Sequence, residues 1–286
     1  MSFAISTLEQ GLVYGIMALG VYISFKVINF ADLTVEGSFP LGAAVTAKLI
    51  TSGVNPIIAI FVALIAGGIA GFITGFLNTK LKITELLAGI LTMTALYSIN
   101  LRIMGKSNIS LLSDKTVFDY VGFANNYKYI IFFGLLIILL IILTNYFLQT
   151  GVGFALRATG NNQQMIRSMG INTNTTITLG LIISNAFVAL SGSLVSQSQG
   201  FADAGMGIGT IVAGLASVII GDALFRERNI LWAIISAVVG SIIYRGAIAV
   251  ALSIGFDPTD LKLLTAILVV IALSLPGLKK TVLSSN

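Results

Sequence analysis

The sequence predicts an all-α polytopic membrane protein, and three observations support that fold class. Of the 286 residues, 56% are hydrophobic and only 9% are charged, whereas a soluble domain has roughly 25% charged residues. The apolar residues fall into runs close to the ~20 residues that a helix needs to cross the hydrocarbon core of a bilayer. The tripeptide Phe-Ala-Asp occurs at residues 30–32 and again at 201–203, each time before a stretch of small residues.

About nine transmembrane or re-entrant segments are predicted from these apolar runs. The fifth is the most uniformly apolar. The second and the seventh are rich in small residues, which allow helices to pack closely in lipid, and each either crosses fully or is re-entrant. In chain order the segments are residues 8–25, 32–50, 56–77, 85–104, 129–148, 175–198, 207–224, 230–254 and 261–278.

The distribution of basic residues predicts the orientation, because Lys and Arg concentrate on cytoplasmic loops. If the connection 150–172 is cytoplasmic, more than half of the basic residues lie on the same side. This arrangement predicts an N-terminus outside the cell and a cytoplasmic C-terminus. The basic residues on that side are Lys26, Lys80, Lys82, Arg157, Arg167, Arg226, Arg228, Lys279 and Lys280.

The order of the segments predicts two inverted four-helix repeats within a single transmembrane domain. Residues 8–104 form the first repeat and residues 175–278 the second, with the span 129–148 between them. Since one span intervenes, the second repeat begins on the opposite side of the membrane, which is a common plan of transporters.

The composition excludes several other functions. The chain contains no Cys and no His, so disulfides, thiol catalysis and Cys/His metal sites are excluded. With few acidic residues as well, no convergent catalytic set is found, and the chain is predicted not to be an enzyme or to bind a metal. The net charge of +5 is assigned to membrane-facing loops rather than to a nucleic-acid surface.

Acidic and polar side chains within the spans are the candidates for a translocation pathway. Asp32 also suits a helix N-cap, and this interpretation is favoured for it. Glu36 lies one turn later, and a carboxylate in hydrocarbon costs roughly 2.5–3.5 kcal/mol, so it is expected to face a cavity or to pair with a cation. Asp203 is expected to cap the seventh segment. The pathway candidates are Asn29, Asp32, Glu36, Ser38, Asn185, Gln197, Gln199 and Asp203.

The connection 150–172 contains a short amphipathic helix, predicted at residues 163–169. Met165, Ile166 and Met169 recur at helical spacing, and Gly170 is expected to end the helix. Such a helix on the inner surface suits a contact with a separate motor protein, although an ordinary interfacial helix has the same pattern.

Two stretches of this chain resemble one family of membrane proteins. Residues 153–172, with the pattern Gly-x-x-x-Arg-Ala and then Met-Gly-Ile-Asn, resemble the cytoplasmic coupling loop of ABC-importer permeases of the branched-chain amino-acid type. The opening GLVYGIMALGVYISFKVINFADLTVEGSFPLGA is similar to the first spans of that family. Where the family typically has His-Gly after Ile-Asn-Phe-Ala, this chain has Asp32 and Leu33.

The resemblance implies a permease subunit in a bacterial cell membrane that imports a small solute, an amino acid, by alternating access. It implies a second permease subunit (alike or different), a cytoplasmic ATPase and an extracytoplasmic substrate-binding protein. The sequence lacks the glycine-rich phosphate loop that binds nucleotide, so ATP is expected on the partner and no cofactor on this chain. An ion-gradient-driven secondary transporter is the alternative. The residues implied to couple to the ATPase are Arg157, Ala158, Gly160, Asn161, Asn162, Arg167 and Gly170.

Overall fold

The computed structural model describes residues 2–120, 127–225 and 229–255, with five further residues between 263 and 270. The described chain is almost entirely helical, with one two-stranded sheet. A π-helix, Tyr22–Val27, continues α1, and a 3₁₀ turn, Val117–Asp119, precedes α5. The other elements are α1 (Ser2–Val21), α2 (Val35–Thr51), α3 (Pro56–Thr79), α4 (Glu85–Met104), β1 (Asn108–Ser110), α5 (Lys128–Gln149), α6 (Gly151–Asn161), α7 (Gln163–Ser168), α8 (Thr173–Gln199), β2 (Phe201–Asp203), α9 (Thr210–Leu224) and α10 (Ile230–Ser253).

The prediction of an all-α membrane protein is confirmed. Within the described residues, six helices are long and apolar enough to cross a bilayer: α1 with its π-helical end, α3, α4, α5, α8 and α10. The second and seventh predicted segments form the shorter helices α2 and α9. The ninth, residues 261–278, lies almost wholly outside the described residues, so a total of nine crossings stays a prediction.

The connection 150–172 was predicted as a loop with one short helix, but it is helical along most of its length. The predicted helix at residues 163–169 is confirmed as α7 (Gln163–Ser168). Before it comes α6 (Gly151–Asn161), which begins where the Thr150 hydroxyl accepts a hydrogen bond from the Gly153 amide at 3.2 Å. The predicted end of α7 is also confirmed, since Gly170 has a φ of +84°, a conformation that glycine adopts without strain.

Two ends of the bundle can be distinguished. At one end, which we call the strand side, β1 pairs antiparallel with β2. The ends of α4 and α8 therefore meet there, and the first turns of α1 and α5 join them, because Glu9 and Tyr129 line one small cavity with Gln199. At the other end, which we call the α6 side, α6 packs under the π-helix.

Helix α8 is the centre of the bundle. Its most apolar window is 72% buried, against 22% for α5. It runs antiparallel to α1, since the Ser184 hydroxyl donates to the Gly20 carbonyl and the Ser191 hydroxyl to that of Val13.

The backbones of helices α8 and α2 lie in direct contact where the two helices cross. A Cβ atom on Gly42 would overlap the Ala189 carbonyl, and one on Gly192 would overlap the Phe39 carbonyl. Small residues at such crossings permit the close packing by which helices associate in lipid. The predicted small-residue surface of the second segment is therefore used against α8.

A polar junction between two short helices

Helix α2 begins inside the bundle rather than at its edge. After the π-helix the chain reverses at Asn29, which has a φ of +53°. It then returns toward the strand side without helical structure as far as Asp32. There the Asp32 carboxylate accepts a hydrogen bond from the Thr34 amide at 2.9 Å, and α2 starts one residue later. The predicted capping role of Asp32 therefore takes the form of an Asx turn, in which a side-chain oxygen replaces a backbone partner.

A buried chain of hydrogen bonds joins α2 to α8. The Asn185 amide nitrogen donates to Asp32 Oδ2 at 2.7 Å, and the Ser38 hydroxyl donates to Asn185 Oδ1 at 2.7 Å. All three side chains are at most 1% exposed. Burying a carboxylate is costly unless it is hydrogen-bonded, and the Thr34 and Asn185 donors meet that need. The structure thus brings together three of the predicted pathway residues.

Two threonines extend this polar chain to α3. The Thr34 and Thr74 hydroxyls are 2.6 Å apart, and the Thr74 hydroxyl also lies 3.3 Å from the Ala70 carbonyl. Neither threonine was singled out from the sequence, because Thr is common in membrane helices, where it bonds back to its own turn.

Glu36 lies on a different face of α2 from this network. Its Oε1 atom accepts a hydrogen bond from the Gly209 amide at 2.9 Å, and Gly209 is the N-cap residue of α9. A carboxylate is stabilised at a helix N-terminus by the free amides and the helix dipole. Pro40 has no N–H to bond the Glu36 carbonyl, and Gly207 packs directly against that carbonyl.

Helices α2 and α9 start at this junction and run in opposite directions. Helix α2 runs parallel to α8 toward the strand side, because Ser38 bonds Asn185 and, two turns on, Thr46 bonds Ser193 at 2.6 Å. Helix α9 runs toward the α6 side, where Asp222 forms an ion pair with Lys26 of the π-helix at 2.6 Å.

The aspartate of the repeated tripeptide Phe-Ala-Asp begins an Asx turn at both of its positions, although residues 201–203 form a strand and residues 30–32 do not. Asp32 accepts from the amide two residues on, and Asp203 likewise accepts from the Gly205 amide at 2.7 Å. Each Asx turn precedes one of the two short helices. Both copies of the tripeptide thus lead into a turn that comes before a short helix.

The remaining pathway candidates do not reach the junction. Asn29 is exposed toward the α6 side, whereas Gln197, Gln199 and Asp203 lie at the strand side. The Gln197 Oε1 atom accepts from the Val117 amide at 2.8 Å, which fixes the 3₁₀ turn before α5. Gln199 is exposed beside the small strand-side cavity. Asp203 lies in β2, with the Asn108 amide 3.4 Å away.

The coupling candidates divide into a packed set and an exposed set. Gly160 packs directly against the Val27 carbonyl of the π-helix. Arg157 lies half-buried over the ring of Phe154, and its Nε atom is enclosed without a hydrogen-bond partner in the described part of the chain. Ala158 is also half-buried. The exposed set comprises Asn161, Asn162, Arg167 and Gly170.

Two exposed apolar side chains lie beside this exposed set, one within α7 and one at the residue directly after it. Met165 is 52% exposed and Met169 is 64% exposed. Exposed apolar side chains that lie together usually mark an interaction surface. The Arg167 Nε atom donates to the Thr173 hydroxyl at 2.6 Å, which holds α7 against the start of α8.

Residues 3–274 match the model of a protein family described as the permease component of branched-chain amino acid transport systems. The chain is 45% identical over 286 residues to a tyrosine transport system permease protein of Clostridioides difficile (strain R20291), covering 100% of this chain and 95% of that protein. It is also 37% identical over 278 residues to an uncharacterized protein of Rickettsia prowazekii (strain Madrid E), covering 96% and 98% of the two chains.

A solved structure has a similar fold. It is that of PsaBC from Streptococcus pneumoniae in complex with Fab, which superposes with a TM-score of 0.54 over 95% of this chain and 89% of the other. The two sequences are 14% identical, so this likeness concerns the fold.

Proposed function

The chain belongs to the branched-chain amino acid transport permease family, the membrane subunits of ATP-binding-cassette importers, and from that premise we propose that it moves an amino acid into the cell by alternating access. The observation that carries the proposal is the family match over nearly the whole chain, together with the 45% identity to a tyrosine permease. A permease component of this kind is a transport protein of the cell membrane and not an enzyme.

In this proposal a cytoplasmic ATPase binds α7 and the end of α6. The exposed Asn161, Asn162, Met165, Arg167 and Met169 provide a mixed polar and apolar surface for it. The ATPase binds the nucleotide, so this chain needs no cofactor of its own.

The packing of α6 supports a mechanical connection from that surface to the junction. Gly160 lies against the Val27 carbonyl, and the Thr159 hydroxyl lies 2.9 Å from that of Thr176 in α8. A push on α6 therefore reaches both the π-helix, which leads into α2, and α8, which holds Asn185.

Two inverted repeats would supply the moving parts. The first helix of each proposed repeat packs against the third helix of the other: the Ser241 hydroxyl of α10 donates to the Gly11 carbonyl of α1, and Gly71 of α3 packs against the Leu181 carbonyl of α8. The opposite directions of α2 and α9 agree with this plan. Rocking of residues 8–104 against 175–278 would then open the junction to each side in turn.

The complete importer in this proposal contains a second permease subunit and an external substrate-binding protein. The strand side, with the N-terminus, faces outward, where the binding protein docks. The α6 side faces the cytoplasm, where the ATPase binds.

Transport energised by ATP distinguishes this function from its rival, an ion-gradient-driven transporter. We expect proteoliposomes that hold the chain, co-purified from its own cells with its ATPase partner, to take up an amino acid only when ATP and the binding protein are supplied. Radiolabelled tyrosine is the first substrate to measure. Uptake driven by a sodium or proton gradient into liposomes that contain this chain alone would favour the rival.

The proposed orientation predicts which side of the membrane reaches α7. The natural chain has no Cys, so Asn162→Cys introduces one exposed thiol on the α6 side and Asn108→Cys one on the strand side. In intact cells a membrane-impermeant maleimide should label N108C and spare N162C until the membrane is opened. The reverse pattern would contradict the orientation.

A further inference from the structure

A cavity of about 220 Å³ lies beside Glu36 at the junction. Helices α2 and α4 and the approach to α9 line it, and it opens to the surface of the chain beside Tyr97 and Ile208, which are 52% and 65% exposed. Its lining residues are Glu36, Gly37, Pro40, Met93, Thr94, Tyr97, Asn100, Ala204 and Ile208. Drug-sized ligands occupy pockets of ≈ 300–1,000 Å³, so this smaller space suits a solute of amino-acid size.

Glu36 favours an open side that faces water or another subunit rather than lipid. Its side chain is partly exposed, and α2 starts inside the bundle, so the carboxylate lies far from either end. An ionised carboxylate in contact with hydrocarbon is unfavourable by roughly 2.5–3.5 kcal/mol. Since Oε1 accepts the Gly209 amide, Oε2 is left to accept from a ligand.

Asn100 also lines this cavity, and it carries a second acceptor, which is covered by its neighbours in this structure. Its amide nitrogen donates to the Gly37 carbonyl at 3.2 Å, which fixes the orientation of the amide group. The Oδ1 atom is consequently turned away from that carbonyl and is buried without a hydrogen-bond partner among the described residues. An unsatisfied buried acceptor costs about 1–3 kcal/mol, and a donor that reached Oδ1 through a small movement of the cavity wall would recover that energy.

The polar groups of the cavity therefore select a cationic donor. A carboxylate oxygen and an amide oxygen accept hydrogen bonds, and an ammonium group has three N–H donors to give. Among the residues that the structure describes, no Lys or Arg lines the cavity. The remaining wall is apolar or aromatic, from Pro40, Met93, Tyr97 and Ile208, which suits a large apolar side chain.

We propose that this cavity binds the transported amino acid by its ammonium group, through Glu36 and Asn100, and accommodates an apolar or aromatic side chain against Met93 and Tyr97. The inference rests on the proposed function and names the substrate class that the junction accepts. In this inference Glu36 binds the ligand as well as the N-terminus of α9. Asn100, which the sequence did not single out, is a second residue that binds the ligand.

Thiol protection tests the inference on the full chain. Because the natural chain has no Cys, Thr94→Cys places its one thiol on the cavity wall, where the Thr94 hydroxyl bonds only carbonyls of its own helix. Phenethylamine and L-phenylalanine should slow maleimide labelling of T94C at least several-fold, and 3-phenylpropionate, which lacks the amine, should not. Equal protection by all three probes, or protection by none, would overturn the proposal.

Two carboxylate variants in the T94C background separate a ligand role from a structural one. Glu36→Gln should abolish protection by phenethylamine, whereas Glu85→Gln, at the other end of α4, should preserve it. Protection that persists in E36Q refutes the role of Glu36. If E36Q fails to fold, the amine-to-acid comparison in T94C alone still decides. Loss of the amine preference while ATP-dependent uptake continues would refute this inference and leave the proposed function intact.

Discussion

Asn185→Leu is expected to abolish uptake and to lower the yield and thermal stability of the folded protein. The substitution keeps the number and branching of the side-chain heavy atoms but removes the donor to Asp32 Oδ2 and the acceptor for the Ser38 hydroxyl. Leaving a buried polar group unpaired costs about 1–3 kcal/mol, and more if it is charged, and here two groups lose their partner. Size-exclusion profiles in detergent, thermal unfolding and uptake would measure the effect.

Two further variants make this expectation specific. Asn174→Leu, in the first turn of the same helix, should change the unfolding temperature little, because its side chain lies half-buried away from the network. Asp32→Asn should lower the stability nearly as much as N185L does. The double variant D32N/N185D should recover part of the stability, because an amide and a carboxylate again face each other. Wild-type stability in N185L would show that the network does not hold α2 in place.

The sequence predicted the helices well where an apolar run has clear boundaries. Residues 85–104 were predicted and found as α4, since Thr84 and Gly105 bound the run. The starts of α2 and α9 were misplaced by three residues, because Asp32 and Asp203 cap turns that precede the helices instead of capping the helices themselves.

The composition of the polar network was predicted but its pairing was not. Asp32, Ser38 and Asn185 were candidates because polar side chains are rare in spans. Asn185 bonds both of the other side chains only because α2 crosses α8. These partners are separated from Asn185 in the sequence by 147 and 153 positions, and such distances leave no periodic signal. Asn100 was missed for the same reason, since the carbonyl to which its amide nitrogen donates belongs to Gly37 on another helix.

The role of Gly160 likewise needed the structure. The sequence placed it in a polar loop, where a glycine suggests a turn, whereas it lies within α6 at a backbone contact with the π-helix. Gly160 and Thr159 fasten α6 to the bundle, whereas Asn161 and Asn162 are exposed, and the Asn162 side chain caps α7 by accepting from the Met165 amide.

Gly160→Val is expected to uncouple ATP hydrolysis from uptake. The added side chain would overlap the Val27 carbonyl, which belongs to the backbone and cannot turn aside as a flexible side chain can, so α6 must shift. Because α6 lies at the edge of the bundle, we expect the protein to fold and to bind its ATPase. Uptake should fall at least tenfold, whereas ATP hydrolysis by the complex continues but no longer responds to substrate and binding protein.

Gly151→Ala is the matched control, because a Cβ atom at this first residue of α6 meets nothing within 4 Å. It also replaces a glycine of the same helix by a residue with a Cβ atom, at a place where that atom overlaps nothing. We expect G151A to transport at the wild-type rate. Normal, ATP-coupled uptake by G160V at comparable expression would contradict the transmission of force through the contact of α6 with the π-helix, since that contact cannot survive the substitution unchanged.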